Sequence, residues 1–594
     1  MLRSTRLLSS PRHQLCSACS VSRRLLSDAS SSKPTPQDCD VVIVGGGPAG
    51  LALASALAAS EAARSTLKVA LVEASDLGKV RHWTMPMDTF SNRVSSLTNA
   101  SQGFLQDDNS MNKSYEDIGV WDQVETDRTC PIEDMQVWDG VSDARINFNS
   151  IEMGLGRAIG TPQMARLTEN LNLQRALLRH IGGNPATQLL DKTKVHSISR
   201  DEHEGGGWPL VYLSDGRVLR ARLLVGADGF NSPVRAYAGI QSYGWNYPTH
   251  AIVATLLHSP RSFMPNTTAY QRFLPTGPIA FLPLSPTASS LVWSTTPSLA
   301  AALVKSDPVV LMRMINAAFR LPEVSIRYIH GRILEAQQSD KLLTAEEIID
   351  EIAWRERSHN IDGHSAHASA SVDLSSINVG VPPIGAELLP PLVEGIQSGT
   401  VASFPLRFNH AESYIGEGPG ARTILVGDAA HTVHPLAGQG LNLGLADVKC
   451  LARCIETAIL RGGDIGSHTA LAPYARERYF ENHKMMSMVD KLHKLYSTTF
   501  EPVVWARSVG VEVLNELDTL KAAIMMSAGA SARDTQARGG ASAWNFTASL
   551  FETMAGSARF AEVAGAGLRA TAIGALQQFA RAATQSQQSG HSGR

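Results

Sequence analysis

The chain has 594 residues, of which 43% are hydrophobic and 18% are charged, so a wholly disordered chain is excluded. Its 53 Lys and Arg residues nearly balance its 55 Asp and Glu residues, and the formal net charge of −2 gives no reason to expect nucleic-acid binding. Six cysteines are too few for a disulfide framework in so long a chain and indicate a reducing compartment. No uninterrupted apolar run reaches the length of about 18 residues that a membrane span needs.

The first 27 residues contain no Asp or Glu, but they carry five arginines among Leu and Ser residues. Mitochondrial import signals are basic, Ser-rich and poor in acidic residues. We therefore interpret residues 1–27 as a mitochondrial presequence. A basic, disordered N-terminus would have the same composition, so the composition leaves that alternative open.

A strand, a glycine-rich turn, a helix and a second strand follow in this order after the presequence. Residues 40–44 form a short β-branched run, residues 51–63 are rich in Ala and Leu, and residues 68–73 form a second apolar run. This order predicts a βαβ unit with parallel strands.

Gly45, Gly47 and Gly50 lie in the turn of this unit with the spacing Gly-x-Gly-x-x-Gly. Such a turn lets the pyrophosphate of a dinucleotide approach the backbone at the N-terminus of the helix. Glu73 ends the second strand, where an acidic residue accepts a ribose hydroxyl. The pattern predicts a site for the adenosine half of FAD or NAD and does not choose between them.

Two further apolar strands end in Gly and Asp residues. Residues 223–225 precede Asp228, and residues 423–426 precede Asp428. An Asp at the carboxyl end of a parallel strand lies at the ligand crevice, where it can accept a hydrogen bond from a sugar-like hydroxyl. An Asp that caps a helix would explain either site alone, but several such sites on one sheet favour a common ligand.

The segment 434–447 (HPLAGQGLNLGLAD) combines several glycines with the predicted start of a helix. Gly438, Gly440 and Gly444 would let the backbone lie flat against a planar ring. The helix would open at Gly440, Leu441 and Asn442, so its N–H groups would face an electron-rich edge of that ring.

Together these motifs resemble those of the FAD-dependent aromatic hydroxylases of the p-hydroxybenzoate hydroxylase type. The segment 434–447 is similar to the signature of the ubiquinone-biosynthesis hydroxylases within that group. Six shorter segments are also similar: 91–97, 135–139, 271–275, 293–295, 404–406 and 495–498. The resemblance extends from about residue 38 to residue 529 and is interrupted at 338–397.

The resemblance implies an α/β fold in which an antiparallel β-sheet substrate domain is inserted into a discontinuous, Rossmann-like FAD-binding domain, followed by a helical C-terminal region. The expected boundaries are 38–120, 160–245 and 400–490 for the FAD-binding domain, 121–159 and 246–337 for the β-rich substrate domain, and 491–529 for the C-terminal helices. We expect residues 338–397 to be a partly mobile insertion. We expect residues 530–594 to be a low-complexity tail with a candidate amphipathic helix.

The resemblance also assigns residues to parts of FAD. The implied contacts are Gly45, Gly47, Gly50 and Glu73 for the adenosine diphosphate half, Asp228 near the pyrophosphate, Asp428 on the ribityl chain, Gly440, Leu441 and Asn442 against the isoalloxazine, Arg93 close to the flavin, and Asn170 as a further contact. It implies no metal site and assigns no catalytic side chain.

The implied reaction is hydroxylation of an aromatic ring by O2, through a C4a-hydroperoxide of the reduced flavin. The implied substrate is the polyprenylated benzoate or phenol precursor of ubiquinone, oxidised at ring C5. Electrons would come from a ferredoxin-type protein or from NAD(P)H. We expect a peripheral protein on the matrix side of the mitochondrial inner membrane, within a multi-subunit ubiquinone-biosynthesis complex. A flavin hydroxylase of another aromatic compound, or a non-catalytic flavoprotein scaffold of the complex, remains an alternative.

Overall fold

The computed structural model describes residues 35–106, 117–155, 162–183, 186–201, 207–261, 265–339, 341–370 and 383–516, together with residues 521 and 525. The predicted presequence (1–27) and the predicted tail (530–594) lie outside the described residues. Contacts divide the chain after Thr35 into two units, and every element below belongs to the second, Pro36–Arg594.

The described residues form strands and α-helices in mixed order. The strands are β1 (Gln37–Val44), β2 (Val69–Val72), β3 (Val94–Thr98), β4 (Thr129–Ile132), β5 (Asp134–Asp139), β6 (Arg145–Asn149), β7 (Ala165–Glu169), β8 (Thr187–Leu190), β9 (Val195–Arg200), β10 (Pro209–Leu213), β11 (Val218–Gly226), β12 (Ser242–Leu257), β13 (Thr268–Leu274), β14 (Gly277–Ser285), β15 (Ala288–Thr295), β16 (Gly395–Ile396), β17 (Ala402–Ala411), β18 (Thr423–Leu425) and β19 (His431–Thr432). The helices are α1 (Pro48–Ala59), α2 (Glu61–Thr66), α3 (Leu77–Arg81), α4 (Asn99–Leu105), α5 (Asn170–Ile181), α6 (Pro233–Tyr237), α7 (Pro297–Lys305), α8 (Pro308–Arg320), α9 (Glu323–Gln338), α10 (Ala345–Ser358), α11 (Gly440–Leu460), α12 (His468–Ser497) and α13 (Glu501–Asn515).

The first sheet has the order β8-β2-β1-β11-β10-β9, and β18 pairs with the end of β11. Five of these strands pair with one another in parallel: β8, β2, β1, β11 and β18. Their apolar side chains are buried together with residues of α1, α5 and α11. Because the strands are parallel, the carboxyl ends of β2, β1, β11 and β18 meet at one edge of the sheet.

The second sheet has the order β19-β17-β12-β15-β14-β13-β5-β6, with β16 paired to β12. Its pairs are antiparallel except for β13 and β5, which run parallel. Helices α7–α10 cover one face, where Trp138, Trp293 and Phe319 lie in a continuous apolar cluster. The expected fold class, a Rossmann-like sheet with an antiparallel sheet and C-terminal helices, is confirmed.

A third sheet of three strands, β3-β7-β4, is antiparallel throughout. Helix α5 begins directly after β7, and residues of β4 and β7 contact β14. The small sheet therefore links the Rossmann-like part of the chain to the large antiparallel sheet.

Two segments contain more helix than their sequence interpretation included. Residues 297–337, which we assigned to the β-rich domain, form α7, α8 and almost all of α9. Pro297 and Pro308 at the first helical position of α7 and α8, and apolar residues every three or four positions, favour helices there. The expected insertion contains α10, which begins with a Thr344–Glu347 capping box and buries Ile348 and Ile352. The domain boundaries and the partial mobility of 338–397 stay predictions.

The last described helices are α12, which packs on α11, and α13, which packs on β6 of the large sheet. None of the helices in the described part of the chain combines the length and apolar character that crossing a bilayer requires.

Candidate cofactor and substrate site

The glycine-rich turn after β1 needs glycine at two positions for steric reasons. Gly45 has a φ of 110°, and a Cβ there would lie 2.2 Å from the Ala227 carbonyl oxygen. A Cβ at Gly50 would lie 1.9 Å from the Gly45 carbonyl oxygen. At Gly47, directly before α1, a Cβ would meet nothing within 4 Å. The turn therefore leaves room at the helix N-terminus, on the side where a pyrophosphate would approach.

Glu73 lies beside this turn at the end of β2. Its carboxylate accepts hydrogen bonds from the Gly46 N–H (2.5 Å) and the Ser75 N–H (2.7 Å). Burial raises the pKa of Glu73, but the hydrogen bonds from Ser75 and Gly46 outweigh burial and lower the pKa overall. Glu73 is therefore ionised near neutral pH and can accept hydrogen bonds from ribose hydroxyls.

Asp228 follows β11, where the Ala227 N–H donates to the Val44 carbonyl at 2.8 Å. One oxygen of Asp228 accepts the Val234 N–H at 3.2 Å, and the other is buried without a hydrogen-bond partner. Burial is the main cause of a raised pKa for Asp228. A buried carboxylate oxygen without a donor is costly, so this atom fits a hydroxyl or another donor from a bound molecule.

Asp428 follows β18 in a short turn that begins at Gly427, where φ is 59°. A Cβ at Gly427 would lie 3.2 Å from the Ala49 Cβ, so the turn packs closely on α1. The Asp428 side chain is exposed, yet burial by the surrounding protein raises the pKa of its carboxyl. A side chain that solvent reaches while protein surrounds it lies in a crevice. Asp428 thus lines the crevice at the edge where the parallel strands end.

Helix α11 begins at Gly440, so the N–H groups of Gly440, Leu441 and Asn442 have no acceptor within the helix. The side chain of Asn442 is already engaged: Oδ1 accepts the Thr98 N–H at 3.0 Å, and Nδ2 donates to the Ser96 carbonyl at 2.7 Å. A contact of Asn442 with a planar ring would therefore use its backbone rather than its amide.

Arg93 and Asn170 lie together where β3 begins and β7 ends. The Asn170 N–H donates to the Arg93 carbonyl at 3.0 Å, and Asn170 Oδ1 accepts the Ser95 hydroxyl at 2.7 Å. The Arg93 side chain is exposed and has no hydrogen-bond or ionic partner among the described residues. The predicted cofactor residues thus occupy strand ends, helix starts and loops of the Rossmann-like part and of the small β3-β7-β4 sheet beside it. Their contacts with FAD stay predictions.

A buried ion pair that the sequence analysis missed supports the Arg93 loop. Arg128 Nε donates to Glu169 at 2.7 Å, and both side chains are buried. Glu169 also accepts the Ser91 N–H at 2.6 Å, and Arg128 donates to the carbonyl of Thr89 at 2.8 Å. Arg128 and Glu169 therefore fix the loop that presents Arg93. The sequence around each residue gave no signal for a pair 41 residues apart in the chain.

A second missed residue is Asp447, which fixes the Gly427 turn. Its buried carboxylate accepts hydrogen bonds from the Gly427 N–H (3.1 Å), His431 Nε2 (2.6 Å), Arg478 Nε (2.9 Å) and Asn482 Nδ2 (2.9 Å). Burial opposes ionisation, but His431 and Arg478 outweigh burial and lower the pKa of Asp447 to about 2. In the sequence, Asp447 is the last residue of the 434–447 segment, but that position did not indicate a role for it.

The face of the large sheet opposite α7–α10, called here the inner face, adjoins these motifs. On it Leu282 packs in a cluster with Phe90 and beside Val94, the neighbour of Arg93. Leu282 also packs against a second cluster that Leu436 of the 434–447 segment joins. The inner face is therefore apolar and lies between the Arg93 loop and the segment that leads into α11. Within the described ranges, no three His, Cys, Asp or Glu side chains group as metal ligands.

The chain is similar to proteins of known class. Residues 38–307 and 396–487 match the family model described as an FAD binding domain. The ubiquinone biosynthesis monooxygenase COQ6, mitochondrial, of Schizosaccharomyces pombe is 36% identical over 498 residues, which cover 83% of this chain and 92% of that protein. The COQ6 of Saccharomyces cerevisiae is 36% identical, covering 84% and 96%, and that of Homo sapiens is 34% identical, covering 82% and 91%.

Solved structures share the fold. The p-nitrophenol 4-monooxygenase PnpA from Pseudomonas putida superposes with a TM-score of 0.54 at 15% identity, covering 83% of this chain and 99% of that one. PqsL, a probable FAD-dependent monooxygenase from Pseudomonas aeruginosa, superposes with a TM-score of 0.51 at 20% identity, covering 80% and 99%.

The Rossmann-like sheet with its glycine-rich first turn, the match to the FAD binding domain and the COQ6 relatives together identify the chain as an FAD-dependent monooxygenase, and FAD is its cofactor. Within that class, the chain belongs to the family of COQ6 ubiquinone biosynthesis monooxygenases. The residues present fit FAD: there is room before α1 at Gly47, and Asp228 holds a buried oxygen without a donor.

Proposed function

We propose that this protein hydroxylates the aromatic ring of a polyprenylated benzoate or phenol precursor of ubiquinone, at ring C5, with O2. The observation that carries this proposal is the 36% identity along 92% of the Schizosaccharomyces pombe protein, whose name states a ubiquinone biosynthesis monooxygenase. Bound FAD supplies the reduction and activation of O2, and the chain supplies binding, orientation and exclusion of water.

Each cofactor residue has a role that its position supports. The turn at Gly45, Gly47 and Gly50 would receive the pyrophosphate at the positive end of α1. Glu73 would accept ribose hydroxyls. The remaining contacts would come from Asp228 near the pyrophosphate, Asp428 on the ribityl chain, the backbone of Gly440, Leu441 and Asn442 along the isoalloxazine, and Arg93 and Asn170 beside it.

The inner face of the large sheet would form the wall against which the aromatic ring lies. Water that reaches an activated oxygen diverts the reaction to hydrogen peroxide, so this reaction needs a dry site. Apolar surface comes from Leu282 of the large sheet, Val94 of β3 and Leu436 before α11, at the place where these parts of the chain adjoin. A prenyl tail would extend the apolar contact away from the ring.

The reductant, location and assembly complete the proposal. Electrons would come from a ferredoxin-type protein or from NAD(P)H. The relatives are named as mitochondrial, which supports a mitochondrial location for this chain. We place it as a peripheral protein on the matrix side of the inner membrane, within a multi-subunit complex for ubiquinone biosynthesis.

The test is hydroxylation by the purified, FAD-loaded protein. The substrate would be a prenylated phenol with a short tail, in 18O2, with either reduced ferredoxin or NADPH as the donor. We expect one 18O atom in the product by mass spectrometry and a new hydroxyl at ring C5 by NMR. Flavin reduction and O2 consumption without any 18O-labelled product would contradict the proposal.

A further inference from the structure

Gln271 is a polar residue on the inner face of the large sheet. In β13 it lies between Ala269 and Phe273, which belong to the inner-face cluster. Its neighbours along the strand, Tyr270 and Arg272, lie on the other face: Tyr270 packs in the cluster under α7–α10, and Arg272 donates to carbonyls at the end of α8. Since side chains alternate along a strand, Gln271 shares the inner face with Ala269 and Phe273.

The pairing register places Gln271 in a row of residues that crosses five strands and is otherwise apolar. Gln271 pairs with Ala280 of β14 on one side and with Val137 of β5 on the other. Ala280 pairs in turn with Val292 of β15, and Val292 with Val253 of β12. Residues in one row of a sheet share a face, so Gln271 is the single polar side chain among these five.

The row is accessible although it lies in the middle of the sheet. Gln271, Ala280, Val137 and Val292 are each half-buried, whereas the next residues on the outer face, such as Phe281 and Trp293, are fully buried. Strands β15, β14, β13 and β5 all have neighbours on both sides. The exposure of the row therefore comes from a space over the inner face, on the side of Val94 and Leu436.

The amide of Gln271 makes no hydrogen bond with any of the described residues. The glutamine at position 136, on the outer face of β5, donates instead to the Glu387 carbonyl at 3.1 Å. Removing a side-chain amide from water costs free energy when no new hydrogen-bond partner replaces the water. Gln271 is thus placed to meet a polar atom on a molecule that otherwise contacts Val137, Ala280, Leu282 and Val292.

We propose that Gln271 orients the aromatic substrate by a hydrogen bond to its ring hydroxyl, while the apolar residues of the row contact the ring. An amide both donates and accepts, which suits a neutral phenol. A carboxylate on the substrate ring would be bound best by a cationic side chain, and the row contains none. The inference rests on the proposed function, because it specifies which group of the aromatic substrate this face recognises.

The test is a double-mutant cycle on the oxidised, FAD-loaded protein, in which no turnover occurs. The probes are a 2-prenylphenol with a tail of two isoprene units and the corresponding prenylbenzene, which lacks the hydroxyl. Calorimetry gives the dissociation constant of each probe for the parent, Gln271→Leu and the control Gln136→Leu. The control changes a glutamine on the same sheet but on the opposite face.

We expect the parent and Gln136→Leu to bind the phenol about ten- to a hundredfold more tightly than the prenylbenzene, and Gln271→Leu to bind the two alike. A full preference for the phenol in Gln271→Leu would overturn the inference while leaving the proposed function intact. A parent that binds neither probe and forms no 18O-labelled product would overturn both. FAD content and the unfolding midpoint check each variant, and Gln271→Met, of nearly equal length, replaces Gln271→Leu if that variant misfolds.

Discussion

Replacing Asp447 by Asn removes the carboxylate charge that holds the Gly427 turn, α11 and α12 together. Every group facing Asp447 donates: the Gly427 N–H and His431 to one oxygen, and Arg478 and Asn482 to the other. In Asp447→Asn, the amide NH2 must therefore face a donor, whichever way it is turned. Arg478 would also remain buried without its carboxylate.

The expected loss in free energy of unfolding is about 3–5 kcal/mol, the usual cost of removing one partner from a buried ion pair. The pKa of Asp447, about 2 against an ordinary value of 3.8, gives a contribution of about 2 kcal/mol from ionisation alone. Since the folded pKa is lowered, this contribution is present above about pH 4 and is lost as the pH falls towards 2.

The assay is urea unfolding of the FAD-loaded parent and variant at pH 7, with the slope m compared between them. The control is Asp464→Asn, because Asp464 also pairs with two arginines, Arg222 at 2.8 Å and Arg422 at 2.6 Å, but is 34% exposed. We expect the control to lose about 1 kcal/mol or less. Equal losses in the two variants would refute the claim that Asp447 is a buried anchor of the cofactor turn.

Four further substitutions test the site. Asp428→Ala should weaken FAD binding about ten- to a hundredfold in a fluorescence titration of apoprotein, and unchanged affinity would contradict its place on the ribityl chain. Gly47→Val should fold yet lack flavin absorbance, because the valine side chain has space in the protein but would meet the pyrophosphate. Gly50→Ala should instead lower the unfolding midpoint, because its Cβ would lie 1.9 Å from the Gly45 carbonyl oxygen. A Gly47→Val variant that binds flavin would refute the placement of the pyrophosphate. Glu169→Gln should lose about 3–5 kcal/mol of stability in urea, because Arg128 would stay buried without a carboxylate partner, and a loss below about 1 kcal/mol would show that the pair does not fix the Arg93 loop.

Local motifs made the Rossmann-like half of the molecule predictable. Gly45 and Gly50 are needed because the backbone packs closely at the turn of one βαβ unit, and their spacing is visible in a short stretch of sequence. The two strands that end at Asp228 and Asp428 could be predicted for the same reason, since each is a short apolar run before a turn. Their common edge followed from the parallel pairing that such runs favour.

Long-range pairs were not predictable in this way. Arg128 and Glu169 meet because β4 and β7 pair, and no periodicity in either strand signals a buried charge. Asp447 reaches Arg478 across two helices, again with no local pattern. The helices that cover the large sheet were not predicted either, because the β-rich segment that precedes them led us to assign all of residues 246–337 to a β-rich domain. The place of Gln271 needed the register of β13, β14 and β5, which a single sequence does not contain.

The insertion of β18 beside β11 has a consequence for how the protein matures. About 200 residues separate these two neighbours, so residues 224–226 at the carboxyl end of β11 lack their partner on that side until most of the chain has been synthesised, and such distant pairing is slow. An open strand edge invites pairing with other chains. A nascent or newly imported polypeptide would thus depend on chaperones until β18 docks, and FAD would reach its complete binding crevice only as a late event of maturation.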